Sequence, residues 1–290
     1  MASSASRRPW SRCRPCCQRE ATIRGLGHRH EEIIDAAELC RLVPALSPHC
    51  VGALVARRDG AADPHRTILA FRRACEAAGV VIAEDCGVEA VDRQGHAWLL
   101  ACGERRFRAP VVVNAAGAWA ARLAALFGDE IALGVRASMM IVTERLAPLL
   151  DPVVSVVGRA LSFKQSDQGT LVIGGGLQGA ADLDRERSSV DFTELAKGAR
   201  AASDLFPAVR SVRIARCWTG IEAQTRDHLP VIGASPNAPG LFHAFGFSGH
   251  GFQLVPIVGA ILSDLVTEGT TRREIAAFAP RRLMQERVAA

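Results

Sequence analysis

The sequence predicts a mixed α/β chain in which two kinds of domain interleave. Three observations carry that reading. A continuous β-branched run at 111–113 stands directly before a small-residue turn and a helical pattern, as in a strand buried on both faces of a parallel sheet. Residues 129–217 hold short strand patterns with polar breaks and one long helical stretch, which suits a mostly antiparallel sheet covered by helices. The C-terminal region then returns to strand, glycine-rich turn and a long apolar helix.

The elements follow in chain order. Residues 1–20 are rich in Ser, Arg, Cys and Pro, hold no acid before Glu20 and lack apolar periodicity. Pro9 and Pro15 would break the amphipathic helix of a transit peptide, and no apolar stretch marks a secretory signal. Residues 1–30 are therefore expected to be a tail without regular structure, or a stretch translated from a wrong start or frame. Ile33, Ile34, Ala37 and Leu39 then predict a helix over 31–42, stopped by Pro44. Asp63 and Pro64 give an N-cap and a first-turn proline to a helix with Ile68, Phe71, Cys75 and Ala78 on one stripe. It ends at Gly79, and the apolar run at 80–83 reads as a buried strand. Strands at 88–91 and 98–102 are joined by a turn around Gln94 and Gly95.

The segment PVVVNAAGAW at 110–119 follows. Its strand leads into Ala115, Ala116 and Gly117, a turn with almost no side-chain bulk, and then into a helix from Trp119 to Phe127 closed by Gly128. Such a turn lets backbone approach a planar ligand at the carboxyl end of a parallel sheet. Strands are expected at 131–142, 155–163 and 169–173, and a helix at 193–205. A literal G-x-G-x-x-G occurs at Gly174, Gly176 and Gly179, but the charged stretch ADLDRER after it holds neither a packed helix nor a second strand. Those glycines are expected to end a strand and begin a loop.

Composition excludes several classes. With 49% hydrophobic and 22% charged residues the chain is globular, and no apolar run reaches the length of a membrane span. After Glu20 acids and bases nearly balance, so the net charge of +5 implies no groove for nucleic acid. Nine scattered cysteines do not form a disulfide framework and suit a reducing cytoplasm. Cys13, Cys16 and Cys17 lack a second ligand pair at finger-like spacing, so no metal site is expected.

Near the C-terminus, Gly246, Gly249 and Gly251 lie within six residues, ahead of a helix with Leu254, Val258, Ile261 and Leu265 on one stripe and Gly269 at its end. Clustered N–H groups and a positive helix dipole suit an anion, or a ring that becomes anionic such as a reduced flavin. Taken singly, His250 reads as a loop histidine, Glu222 as a solvated carboxylate, and Trp119 and Trp218 as core aromatics. The ordered set carries more.

VVVNAAGAWA, WTGIEAQTRDHLPVIG, GFSGHGFQLVP and the FAPRRL tail at 278–283, preceded by DGAADPHRTILAFRRACEAAGV, resemble the D-amino-acid oxidase superfamily of FAD-dependent oxidoreductases. The resemblance covers residues 31–283 and is nearest to the glycine, sarcosine and opine oxidases. It implies an FAD-binding Rossmann-like domain from 63–128 and 218–290, interleaved with a smaller substrate domain from 31–62 and 129–217. It places Ala115, Ala116, Gly117 and Trp119 along the FAD and the backbone of Val88 at its adenosine end. Gly246, Phe247, Ser248, Gly249, His250, Gly251, Phe252 and Gln253 would hold the ring edge. His250, Gln253 and Glu222 are the catalytic candidates. The family removes hydride from a carbon bearing an amine, the imine hydrolyses, and electrons pass to oxygen or another acceptor; some members are subunits of heteromeric enzymes. Glu222 stands where glycine-oxidase-like members carry arginine, Gln253 stands where monomeric sarcosine oxidases carry lysine, and the chain holds no tyrosine. These departures open the substrate range from a simple amino acid to a larger secondary amine such as an opine. The family also begins with a strand, G-x-G-x-x-G and a helix, none of which is found before residue 30, so the FAD-binding domain is expected to be incomplete.

Overall fold

A computed structural model describes residues 14–284. The chain divides into two units, each assembled from separate stretches. Of the described residues, 14–62, 138–180 and 189–219 make the first; 63–137, 181–188 and 220–284 make the second.

In the first unit, residues 14–25 of the expected tail are helical, Arg14–Gly25. Pro15 lies in its first turn, where a missing N–H costs nothing. From the middle of this helix, Arg19 clasps the Glu31 carboxylate through Nε at 2.8 Å and Nη2 at 2.5 Å. Residues 1–13 of that tail, Cys13 among them, lie outside the described residues. The helix expected over 31–42 is instead the strand Glu32–Asp35 followed by the helix Ala36–Leu42. Two preferences oppose a continuous helix there. Ile33 and Ile34 are β-branched and pair antiparallel with Leu54 and Ala53, and Asp35 accepts the Glu38 N–H at 2.8 Å as an N-cap.

A five-stranded sheet, most of whose residues belong to this unit, runs in the order Ile214–Gln224, Gly134–Arg145, Thr170–Gly174, Ser162–Gln165, Val154–Ser155. The single strand expected at 155–163 is thus two short antiparallel ones, with Ser155 opposite Ser162. Phe163 stacks on Phe206 with centroids 4.3 Å apart, both wholly buried among Met139, Ile141 and Leu171. Each such side chain contributes roughly 1.5–3 kcal/mol by leaving water. The G-x-G-x-x-G run ends the strand Thr170–Gly174 and opens no helix, as expected. Close packing explains its glycines: a Cβ on Gly175 would sit 2.3 Å from Ser162 N, and one on Gly179 would sit 2.2 Å from Ser189 O.

The second unit holds a three-stranded sheet in which Leu241–Phe245 pairs antiparallel with Val231–Ala234 and parallel with Val112–Asn114. The helix Gly251–Glu268 lays Val258, Ile261 and Leu265 with Ile232 and Ala244 in one buried cluster. Gly269, at φ +73°, ends it in the left-handed conformation. By length and composition this helix is apolar enough to cross a membrane, contrary to the expectation of no such run; Val258, Ile261 and Leu265 are its buried residues. A separate antiparallel sheet joins Ala90–Gln94, Ala97–Cys102 and Arg105–Ala109.

Two apolar segments of this unit are bare. The helix Pro64–Ala77 has its Asp63 cap, yet Ile68, Leu69 and Phe71 are 64%, 50% and 49% exposed. The run at 80–83 forms no strand, and Val81 is 81% exposed. An apolar run becomes a strand only where a neighbour takes its backbone hydrogen bonds, and among the described residues none does. Val112–Asn114 is accordingly the edge of its sheet.

Gly175 and Gly158 separate strain from collision. Both have positive φ, +92° and +80°, but a Cβ on Gly158 meets nothing within 4 Å. Gly158→Ala should cost about 1 kcal/mol from backbone strain alone, and Gly175→Ala clearly more, as read by urea unfolding.

Candidate functional site

The parallel register sets the site. Leu241 lies opposite Val112, Phe242 opposite Val113 and His243 opposite Asn114. Adjacent parallel strands end at the same edge of a sheet, so the turns that leave them emerge side by side. One is Ala115, Ala116 and Gly117, passing into a short 3-10 turn Gly117–Trp119 and the helix Ala120–Leu126. The other is 246–250, passing into Gly251–Glu268. Ala115, Ala116, Gly117 and Trp119 thus follow one strand, and Gly246, Phe247, Ser248, Gly249, His250, Gly251, Phe252 and Gln253 follow the strand beside it. Val88 is half-buried ahead of the strand Ala90–Gln94.

The glycine-rich turn is held from below. Gly246 and Gly249 have φ of +72° and +89°, and Ser248, a non-glycine, has +52°. The strained serine is fixed by its hydroxyl. Ser248 Oγ accepts the Thr225 N–H at 3.2 Å, lies 3.2 Å from Thr225 Oγ1 and donates to Gly246 O at 3.2 Å. Thr225, 1% exposed, donates its own hydroxyl to Leu229 O at 2.8 Å. Ser248 N–H also donates to Ala223 O at 3.3 Å, and Gln224 bridges Phe247. Pinned there, the strand Ile214–Gln224 puts Glu222 Oε1 3.8 Å from the Cβ position of Gly249. His250 and Gln253 are exposed, and His250 makes no side-chain cap to the helix it precedes.

Beside the turn opens a cleft of about 550 Å³ lined by Ala132, Leu133, Gly134, Val135, Gln224, Thr225, Arg226 and His228. Leu133 and Thr225 also wall Gly246, where a Cβ would come within 3.4 Å and 2.7 Å of them. Arg282 closes the far side of this segment. It donates to Asp227 Oδ2 at 2.8 Å, to Pro230 O at 2.9 Å and to Phe278 O at 2.8 Å, which ties the RDHLP stretch to the FAPRRL tail. The guanidinium holds the Asp227 carboxyl down at about 2.

A planar cofactor fits this arrangement. Ala115 and Gly117 are exposed, and a Cβ on Gly117 would meet nothing within 4 Å. Trp119 Nε1 is buried without a hydrogen-bond partner, a donor lacking its acceptor at the end of the turn. The helix start at Gly251 adds backbone N–H groups without a side-chain cap. Among the described residues no group of three or more His, Cys, Asp or Glu is placed to hold a metal.

Residues 10–265 match the family described as FAD dependent oxidoreductase, DAO. The chain belongs to this family. Its relatives include hydrogen cyanide synthase subunit HcnC of Pseudomonas aeruginosa, 30% identical over 92% of this chain and 64% of that one. Glycine oxidase of Geobacillus kaustophilus is 28% identical over 88% and 66%, and sarcosine oxidase subunit beta of Rhodobacter capsulatus is 27% identical over 81% and 58%. The crystal structure of that glycine oxidase superposes with a TM-score of 0.83 at 26% identity, covering 91% of this chain and 70% of that one. The chain thus spans less than two thirds of the length of these curated relatives. The mixed α/β fold and the FAD-dependent oxidoreductase class read from the motifs are those of the family.

Sequence reasoning missed Thr225, Asn114, Asp129, His243 and Arg282. Each works by hydrogen bonds across long stretches of chain, and only the polarity of His243 within the apolar run LFHAF signalled one of them. Trp218, read as a core aromatic, is 41% exposed, with the Arg216 guanidinium 5.1 Å from its ring centre.

Two outcomes follow from the clamps. Thr225→Val keeps shape but removes the hydroxyl that donates to Leu229 O, a carbonyl that keeps Arg282 as a second donor; it should cost about 1 kcal/mol in urea unfolding. Asp227 has a folded pKa below its unfolded one, so its stabilisation is present above about pH 4 and is lost as pH falls towards 2. The stability gap between the wild type and Asp227→Asn should therefore narrow over that range in acid-unfolding curves.

Proposed function

We propose that this chain supplies the ring side of an FAD site that oxidises the C–N bond of a small amino acid or secondary amine. The observation carrying this reading is the register of His243 with Asn114, which sets the two turns side by side at one sheet edge. Bound FAD supplies a hydride acceptor. The chain's own residues bind and orient. Ala115, Ala116 and Gly117 allow close approach of a flat ring, Trp119 Nε1 donates to it, and the Gly251–Glu268 helix start favours negative charge at its edge. Glu222, beside Gly249, faces the ammonium of the substrate, and exposed His250 and Gln253 make polar contacts to the rest of it. A carboxylate rather than an arginine at this place offers no clamp for a substrate carboxylate, which opens the range to a larger secondary amine such as an opine. The relatives named as subunits of hydrogen cyanide synthase and sarcosine oxidase support a heteromeric assembly.

A second reading, that the chain by itself is non-catalytic and does not retain FAD, is favoured by the open edge of the strand Val112–Asn114 and the bare stripe of Pro64–Ala77. One experiment separates the two. The purified chain is mixed with FAD, desalted and its visible spectrum recorded. A retained flavin band supports the first reading, and Trp119→Phe should then weaken FAD binding by about five- to tenfold through the lost donor. A colourless protein after desalting overturns it in favour of the second.

A further inference from the structure

Asn114, Asp129 and His243 are each wholly buried, and no part of the reading above uses His243 or Asp129 chemically. They form one connected network. His243 Nε2 lies 2.8 Å from Asp129 Oδ2, and His243 Nδ1 lies 3.4 Å from Asn114 Nδ2. Asn114 Nδ2 also donates to Ala120 O at 2.9 Å, while Asn114 Oδ1 accepts the Ala116 N–H at 3.2 Å. On the far side Asn237 Nδ2 donates to Asp129 Oδ1 at 2.9 Å and to Gly128 O at 3.1 Å.

Donor and acceptor counting selects one proton arrangement. Asp129 as a carboxylate can only accept, so His243 carries its proton on Nε2 and presents a bare Nδ1 to the Asn114 amide. That fixes the amide's orientation: its nitrogen faces His243 and Ala120, which leaves its oxygen for the Ala116 N–H. A proton on both imidazole nitrogens would set donor against donor at Nδ1. The amide would then have to turn over, and the Ala116 N–H would face an NH2 group instead of an oxygen.

We propose that His243 is a positioning residue for the turn at 115–117: held by Asp129 in one tautomer, it orients the Asn114 amide and thereby fixes the backbone that faces the cofactor. The role rests on the reading that this turn lies along FAD. Asp129 supplies the charge that faces the imidazole, while Asn114 and the edge of the Phe245 ring, 5.5 Å away between centroids, flank it. Burial pushes the His243 pKa down, against the opposing pull of Asp129, so the neutral form the network needs is the one held at ordinary pH.

The test reads the turn and the cofactor separately. In the wild type, nitrogen NMR of the imidazole should show the Nε2–H tautomer. In His243→Gln and Asp129→Asn, amide exchange at 115–119 should rise about tenfold more than in the strand Val231–Ala234, which reports general loosening. FAD affinity, measured by quenching of flavin fluorescence, should fall by about tenfold or more in both variants. An Nδ1–H tautomer, or an equal rise of exchange in both segments, would overturn the proposal. Should a variant fail to fold, exchange of the wild type, corrected for intrinsic rates, is followed as pH falls until the imidazole nitrogen signals show His243 protonated. The turn should loosen ahead of Val231–Ala234 as His243 protonates, and uniform behaviour would again overturn it. If exchange follows the proposal while FAD affinity is unchanged, the positioning of the turn stands and its reading as a cofactor site fails.

Discussion

The pairing of Leu241–Phe245 with Val112–Asn114 is the constraint on which the rest depends. Parallel strands cannot be joined by a tight hairpin, so this register brings together stretches more than a hundred residues apart in sequence. Once Asn114 and His243 stand side by side, the turns that follow them must leave from the same edge. A one-residue slip would reverse which side chains face the core and would separate the polar network from the turn it holds.

Around that pairing the structure spends hydrogen bonds on turns rather than on elements. The glycine-rich turn is fixed by the Thr225 and Ser248 hydroxyls, and the small-residue turn by the Asn114 amide. Each keeps side chains off the exposed face of its turn while satisfying backbone groups from the buried side. Arg282 performs a comparable task at the tail, where one guanidinium gathers a carboxylate and several carbonyls. A positive φ at Ser248 persists because its surroundings over-determine it.

Legibility in the sequence followed how local the cause was. The helix Gly251–Glu268, with Val258, Ile261 and Leu265 buried and Gly269 as its end, could be read from spacing because helix period and capping act over a few residues. The helix Pro64–Ala77 was legible through its Asp63 cap, but its apolar stripe proved bare. The segment 31–42 misled for the opposite reason. Ile33 and Ile34 fit a helical stripe, and only a partner strand twenty residues later makes them extended. The two turns of the site were legible as glycine and alanine clusters. The residues that hold them were not, since Thr225, Asp129 and His243 act through partners no local pattern reveals.

The central claim is that the turns at 114–119 and 246–253 form one surface for FAD. Hydrogen-exchange mass spectrometry of the chain with and without added FAD tests it most directly. The account predicts that peptides from both turns gain protection together, while the sheet Ala90–Gln94, Ala97–Cys102, Arg105–Ala109 changes little at its central strand. Protection in only one turn, or in neither while FAD is demonstrably bound, would contradict it.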